Sequence, residues 1–246
     1  MGPTVEVSLL PRKIGQSLKR RGLRETLRAS ARYAPYYFGL TRFIYRDLLF
    51  DWRHGVETRS RVSLGDLDIN YESKEFGRNY GPSDPKIFHK MLSCMQLHHE
   101  DYTFIDFGSG KGRAMLMASE FPFKRIVGIE FSPKLNEMAR DNIKRYRSRG
   151  QKCTALEVVE GDAAAYKIPD ETVVLYFNNP FNEPIMAKVL ANIKKSLEDH
   201  PREMFIAYSY GTPEMDKFVE TSSFLTKVAS TYQYFIYRTE RSELAK

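Results

Sequence analysis

Cysteine is scarce in this 246-residue chain: Cys94 and Cys153 stand alone, with no CxxC spacing. That excludes a disulfide scaffold and a cysteine-held zinc, and it fits a reducing compartment. Long apolar runs are missing as well. None approaches the roughly 18–20 residues that a membrane-spanning helix needs, so no transmembrane segment is expected. No Pro/Gly/Ser-rich linker and no internal repeat interrupts the chain. A secretory signal, with its apolar stretch and small-residue cleavage site, is not visible, and the cytoplasm is the expected location. What is present is ordinary for a folded enzyme-sized domain: 42% hydrophobic, 13% aromatic and 28% charged residues. A full core can be built, and a disordered or low-complexity reading is excluded.

The positive charge is confined to one end. Residues 1–61 carry 13 Lys and Arg against 5 Asp and Glu, whereas residues 62–246 carry 25 against 26. The excess therefore describes an appendage and not a basic face on the main domain. In that appendage Ile14, Leu18, Leu23 and Leu27 recur at helical spacing among arginines. After Pro35 an aromatic and aliphatic run extends from Tyr37 to Trp52. The expected organisation is a basic, aromatic helical arm over 1–61 and a second domain over 62–246. The arm has three open readings: packing on the main domain, contact with an anionic membrane surface, or contact with an acidic partner such as nucleic acid.

From residue 82 onward the periodicity is regular. Ser83 and Pro85 open a helix with Phe88, Met91, Leu92 and Met95 on its apolar face. Strands are expected at Thr103–Phe107, Arg125–Glu130, Thr154–Glu160, Thr172–Phe177 and Met204–Ser209. Helices lie between them: one after a glycine turn, one capped by Ser132 with a stripe of Leu135, Met138, Ala139, Ile143 and Tyr146, and one from Asn182. A helix near Pro213–Val219 and two closing runs, Phe224–Thr231 and Tyr234–Arg238, complete the chain. Such alternation means an α/β fold, a doubly wound and mostly parallel sheet covered on both faces. The last two runs leave no room for a crossover helix and should pair antiparallel.

The glycine turn is the most informative stretch: Asp106-Phe107-Gly108-Ser109-Gly110-Lys111-Gly112, between the first strand and the next helix. A doubly wound sheet places its ligand crevice there. A dinucleotide fingerprint needs a third glycine at the position of Arg113. The carboxylate of Asp106 would also repel a pyrophosphate, while it suits an ammonium group. This acidic-x-G-x-G-x-G arrangement resembles motif I of the class I methyltransferases that use S-adenosylmethionine (AdoMet). Their seven-stranded sheet, closing in an antiparallel hairpin, is similar to the order read here. The resemblance implies AdoMet as cofactor, held by Asp106, Gly108, Ser109, Gly110 and Gly112. Glu130 and Phe131 would hold the ribose end, Asp162 and Ala163 the adenine, and Asn178 and Tyr80 would complete the set. A nicotinamide cofactor is disfavoured by the glycine spacing.

Asn178-Asn179-Pro180-Phe181, after the fourth strand, is similar to the Asn/Asp-Pro-Pro-aromatic motif of amino methyltransferases and implies a catalytic role for these four residues. The pair Asn178-Asn179, together with Asn79-Tyr80-Gly81-Pro82-Ser83 upstream, also resembles the non-SET lysine methyltransferases. The expected reaction is methyl transfer to an amine such as a protein lysine. Two alternatives stay open: O- or N-methylation of a small molecule, and AdoMet binding without catalysis. No metal site is expected, and His98-His99 reads as a solvated helix end.

Overall fold

The computed structural model describes residues 44–67 and 75–239. The helix expected around Ile14–Leu27, and with it the basic arm up to residue 43, lies outside them. The chain divides into two compact units, residues 1–49 and 50–246. Residues 44–54 are helical (α1). Residues 50–61, which the sequence reading places in the arm, fall within the second unit.

In the second unit the elements follow as α2 (Pro85–Met95), β1 (Thr103–Phe107), α3 (Arg113–Ala118), β2 (Arg125–Glu130) and α4 (Pro133–Arg145). Then come β3 (Leu156–Glu160), β4 (Val173–Phe177), α5 (Glu183–Asp199), β5 (Met204–Ser209), α6 (Pro213–Glu220), β6 (Leu225–Ser230) and β7 (Tyr234–Thr239). They form one seven-stranded sheet of order β3-β2-β1-β4-β5-β7-β6. The first five strands in that order are parallel, and β7 runs antiparallel to both β5 and β6. The closing pair is antiparallel as expected, and β7 inserts between β5 and β6.

Alternation along the strands splits the core into two layers. Ile105, Phe107, Leu175, Phe177 and Ile206 face α5 and α6, packing on Ile185, Val189, Ile193 and Val219. Phe104, Ile126, Val174, Tyr176 and Phe205 face α2 and α3, packing on Phe88, Met91, Leu92 and Met115. By the same period of two, Asp106, Glu130, Tyr176 and Ser209 belong to the α2/α3 face, and in-register pairing sets Asp106 beside Tyr176. These positions govern the site.

Helix starts follow local chemistry. Ser132 accepts from the Leu135 N–H and Thr212 from the Met215 N–H, each followed by a proline at the first helical position. Asp84, and not Ser83, caps α2, accepting from the Lys86 and Ile87 N–H groups. On α4 the expected stripe is altered: Leu135, Asn136, Ala139 and Asn142 are the buried helical positions. Asn142 is satisfied there, accepting from the Glu57 N–H and donating to the carbonyls of Glu57 and Lys111, whereas Asn136 donates to the Glu130 carbonyl and leaves its Oδ1 buried without a partner among the described residues.

Candidate functional site

A cleft opens at the carboxyl edge of the parallel strands, where a doubly wound sheet places its ligand crevice. It collects the residues that follow successive strands: Gly108 after β1, Glu130 and Phe131 at β2, Asp162 and Ala163 after β3, and Asn178–Phe181 after β4. Tyr80 joins them from upstream. Asp106, Ser109, Gly110 and Gly112 are not in the lining; they form the floor behind it.

That floor is tightly built. Gly108 (φ +77) and Gly110 (φ +54) take backbone conformations that side chains resist. A Cβ on Gly108 would lie 2.6 Å from Pro180 Cβ, and one on Gly110 would collide with the Tyr80 ring. Both glycines thus give their space to neighbouring residues of the site. Gly112 caps α3 and faces Ala139 of α4. The Ser109 hydroxyl is buried without a hydrogen-bond partner among the described residues.

Two acids lie under this turn. Asp106 is 2% exposed and Glu130 is 4% exposed. Burial, reinforced by the nearby Glu130 charge, raises the Asp106 carboxyl well above its ordinary range. Burial likewise raises Glu130 to about 7, against the pull of backbone N–H groups. Its Oε1 accepts from the Ser132 N–H at 2.9 Å and its Oε2 from the Gly110 N–H at 3.0 Å. Each oxygen keeps further acceptor capacity, and Glu130 lines the cleft. Two buried carboxyls this close are an environment in want of positive charge or of hydroxyl donors.

A strap from the segment before α2 roofs the opposite wall. Gly77 bridges Phe181, the Arg78 N–H donates to the Pro180 carbonyl at 3.0 Å, and the Asn182 N–H donates to the Phe76 carbonyl at 2.9 Å. Asn178 fastens to it, donating from Nδ2 to the Gly81 carbonyl at 3.1 Å, while its Oδ1 accepts from the Ser209 hydroxyl at 2.7 Å. Asn179 takes a left-handed φ of +48 and accepts from the Tyr208 hydroxyl at 3.3 Å. Phe181 is buried edge-on to Phe177, at 5.9 Å between ring centroids. On the β3 side, Asp162 Oδ1 accepts from the Ala164 N–H, which shapes the turn that presents it.

Some contributors have no signal in the sequence. Leu64, Leu67 and Arg78 line the cleft yet belong to no motif. Lys111 and Arg113, inside the glycine turn, have side chains only 1% exposed. Lys111 Nζ pairs with Glu57 at 2.7 Å, and Arg113 pairs with Asp51 at 3.2 Å. Two cations beside an apolar strand end were the available hint that acids must approach from elsewhere. His99 departs from the expected solvated end: it is half-buried, stacked on Phe121 at 4.9 Å, and burial lowers its pKa. Among the described residues no cluster of His, Cys, Asp and Glu is arranged to hold a metal ion. No described helix is long and apolar enough to cross a membrane.

Residues 65–202 match the model of the family described as histone methylation protein DOT1. No curated protein matches the chain. Solved structures of similar shape include an RNA methyltransferase from Salinibacter ruber in complex with S-adenosyl-L-homocysteine, 21% identical over 64% of this chain and 92% of that one, with a TM-score of 0.41. A precorrin-6y C5,15-methyltransferase from Geobacter metallireducens is 18% identical over 70% of this chain and 98% of that one, with a TM-score of 0.47. A dimethyladenosine transferase from Plasmodium falciparum is 14% identical over 67% of this chain and 65% of that one, with a TM-score of 0.46.

Proposed function

Because the chain belongs to the DOT1 family of histone methylation proteins and has a class I methyltransferase fold, we propose that it transfers the methyl group of AdoMet to an amine, and specifically to a protein lysine. AdoMet, when bound, supplies a methyl group on a positively charged sulfur, so the chemistry asks the protein mainly for alignment. The observation that carries the reading is the gathering of Glu130, Phe131, Asp162, Ala163 and Asn178–Phe181 around one cleft at the carboxyl edge.

The residues present suit that cofactor. Glu130 has acceptor capacity for two ribose hydroxyls, and its rigid backbone bonds fix where those acceptors point. Phe131 and Ala163 offer apolar surface, and Asp162 an acceptor, at the adenine end. Asp106 behind Glu130 suits the ammonium of the amino-acid tail. The glycine turn at Gly108, Ser109, Gly110 and Gly112, with Tyr80 laid on Gly110, bounds that end of the cleft. On the acceptor side, the side-chain oxygens of Asn178 and Asn179 take the N–H bonds of an incoming amine and orient its lone pair. Pro180 holds the turn, and Phe181 walls the passage.

Transfer of labelled methyl groups from AdoMet into a cell extract, fractionated into protein, nucleic acid, lipid and small molecules, tests the reading. The expected label is in protein, on lysine. Label confined to nucleic acid or small molecules overturns the acceptor, and no transfer at all overturns the activity.

A further inference from the structure

We infer that Ser209, with Tyr176 behind it, is a positioning residue that sets the orientation of the Asn178 amide. The inference deepens the proposed methyl transfer and rests on it for its functional consequence, while its structural content stands by itself. Neither Ser209 nor Tyr176 touches the cleft. Both are buried, each 1% exposed, and both point to the α2/α3 face at the ends of neighbouring strands.

The donors and acceptors can be assigned in only one direction. Asn178 meets the Gly81 carbonyl at one end of its amide, and a carbonyl can only accept. The atom facing Gly81 is therefore Nδ2, and the other end, facing Ser209 at 2.7 Å, is Oδ1. An amide oxygen can only accept in turn, so the Ser209 hydroxyl must donate to it. That spends the single hydrogen of Ser209, whose other near acceptor, the Phe177 carbonyl, is farther off at 3.4 Å. Tyr176 Oη, 3.0 Å from Ser209 Oγ, must then donate to Ser209. Its oxygen also meets the Ser83 hydroxyl. Hydrogen bonds thus run from the strap at Ser83 through β4 and β5 to Asn178 and back to the strap at Gly81.

Without the Ser209 hydroxyl the amide oxygen would lie bare against a buried wall, and the Gly81 carbonyl alone would hold the amide. In a dry site an unpartnered acceptor is costly, so the relay and the Gly81 carbonyl together hold Asn178 in one orientation, and loss of the relay loosens it. Since the proposed transfer depends on the direction of the Asn178 acceptor, Ser209 acts on turnover and not on cofactor affinity. Glu130 and Asp162, which serve the cofactor, share no hydrogen bond with it.

The test compares wild type, Ser209→Ala and Tyr176→Phe in the full chain. One arm needs no catalysis: side-chain amide exchange of Asn178 by ¹⁵N NMR, with the resonance identified by its loss in Asn178→Asp. The expected result is exchange about tenfold faster in Ser209→Ala, with a smaller rise in Tyr176→Phe. Equal exchange in all three overturns the inference. The second arm measures AdoMet affinity and turnover with core histones as the acceptor probe. Ser209→Ala should lower kcat about tenfold or more with AdoMet Kd unchanged, and adding Tyr176→Phe to it should change little further, because the two act in series. A parallel loss of affinity and kcat assigns Ser209 a merely structural role and overturns the inference. A wild type inactive on histones speaks against the proposed acceptor alone and leaves the exchange arm to decide.

Discussion

Glu130 gives the most direct access to the site at the level of single residues. Its carboxyl is raised from an ordinary 4.5 to about 7 by burial. The folded protein near neutrality therefore holds a proton that the unfolded chain does not. This group's contribution to stability is complete below the unfolded value and is lost as pH rises through about 7. A ligand that donates hydroxyl hydrogens to Glu130 favours its ionised form, so AdoMet binding should release a proton. Calorimetry in buffers of differing ionisation enthalpy should show release that is largest below pH 7, falls as pH rises through about 7 and fades by about pH 9. Proton uptake, or no linkage, would remove Glu130 from the ribose end. Gly110→Ala makes a second residue-scale case: a Cβ there collides with the Tyr80 ring at a φ of +54. Loss of AdoMet binding with a drop of about 1–3 kcal/mol in stability is expected from denaturant melts. Glu130, Asp162 and Asn178 were legible from the sequence because strand ends are periodic and the edge they share is a property of the fold. The partners of Lys111 and Arg113 were not, since Glu57 and Asp51 lie 54 and 62 positions away, and nothing in local spacing encodes such a pairing.

Among the elements, the segment over residues 50–61 matters more than its place before the domain suggests. Asp51 accepts from the Thr58 and Arg59 N–H groups and from Arg113, and Arg113 stacks 4.7 Å above Phe50. Asp51→Ala leaves a buried guanidinium without its carboxylate and should cost about 3–5 kcal/mol, read from chemical denaturation. A chain starting at residue 44 should fold and bind AdoMet. One starting at residue 62 strips both buried cations of their acids, and it should lose cooperative melting together with AdoMet binding. Equal behaviour of the two truncations would show the clamp to be dispensable. Helix α4 illustrates a limit of pattern reading. A hydrophobic stripe finds Leu135 and Ala139, but Asn136 and Asn142 are buried with their amide N–H groups held by backbone carbonyls, and periodicity in apolar residues is blind to a polar side chain anchored in that way. The central strands had less ambiguity, because β1, β4 and β5 are buried at every position and read as predominantly apolar runs, broken only by Thr103, Asp106 and Ser209.

At the scale of the whole molecule, the alternation of strands and helices determines a single edge where five parallel strands end, and the candidate groups gather there from positions as distant in sequence as Tyr80 and Phe181. The expected fold class was readable because crossovers between parallel strands are long and mostly helical, as they are between β1 and β2, β2 and β3, and β4 and β5. The insertion of β7 between β5 and β6 was not, since pairing order within a closing hairpin depends on which edge of the sheet is free. The chemistry of the edge distinguishes between cofactors. Arg113 stands where a dinucleotide fold needs its third glycine, and Asp106 brings a buried carboxyl beside the turn where a pyrophosphate would need donors. Titration calorimetry of the full chain with AdoMet, and separately with NAD, tests this most directly. One-site heat with AdoMet and none with NAD is expected; a silent AdoMet titration, or heat from NAD alone, excludes an AdoMet site at this edge.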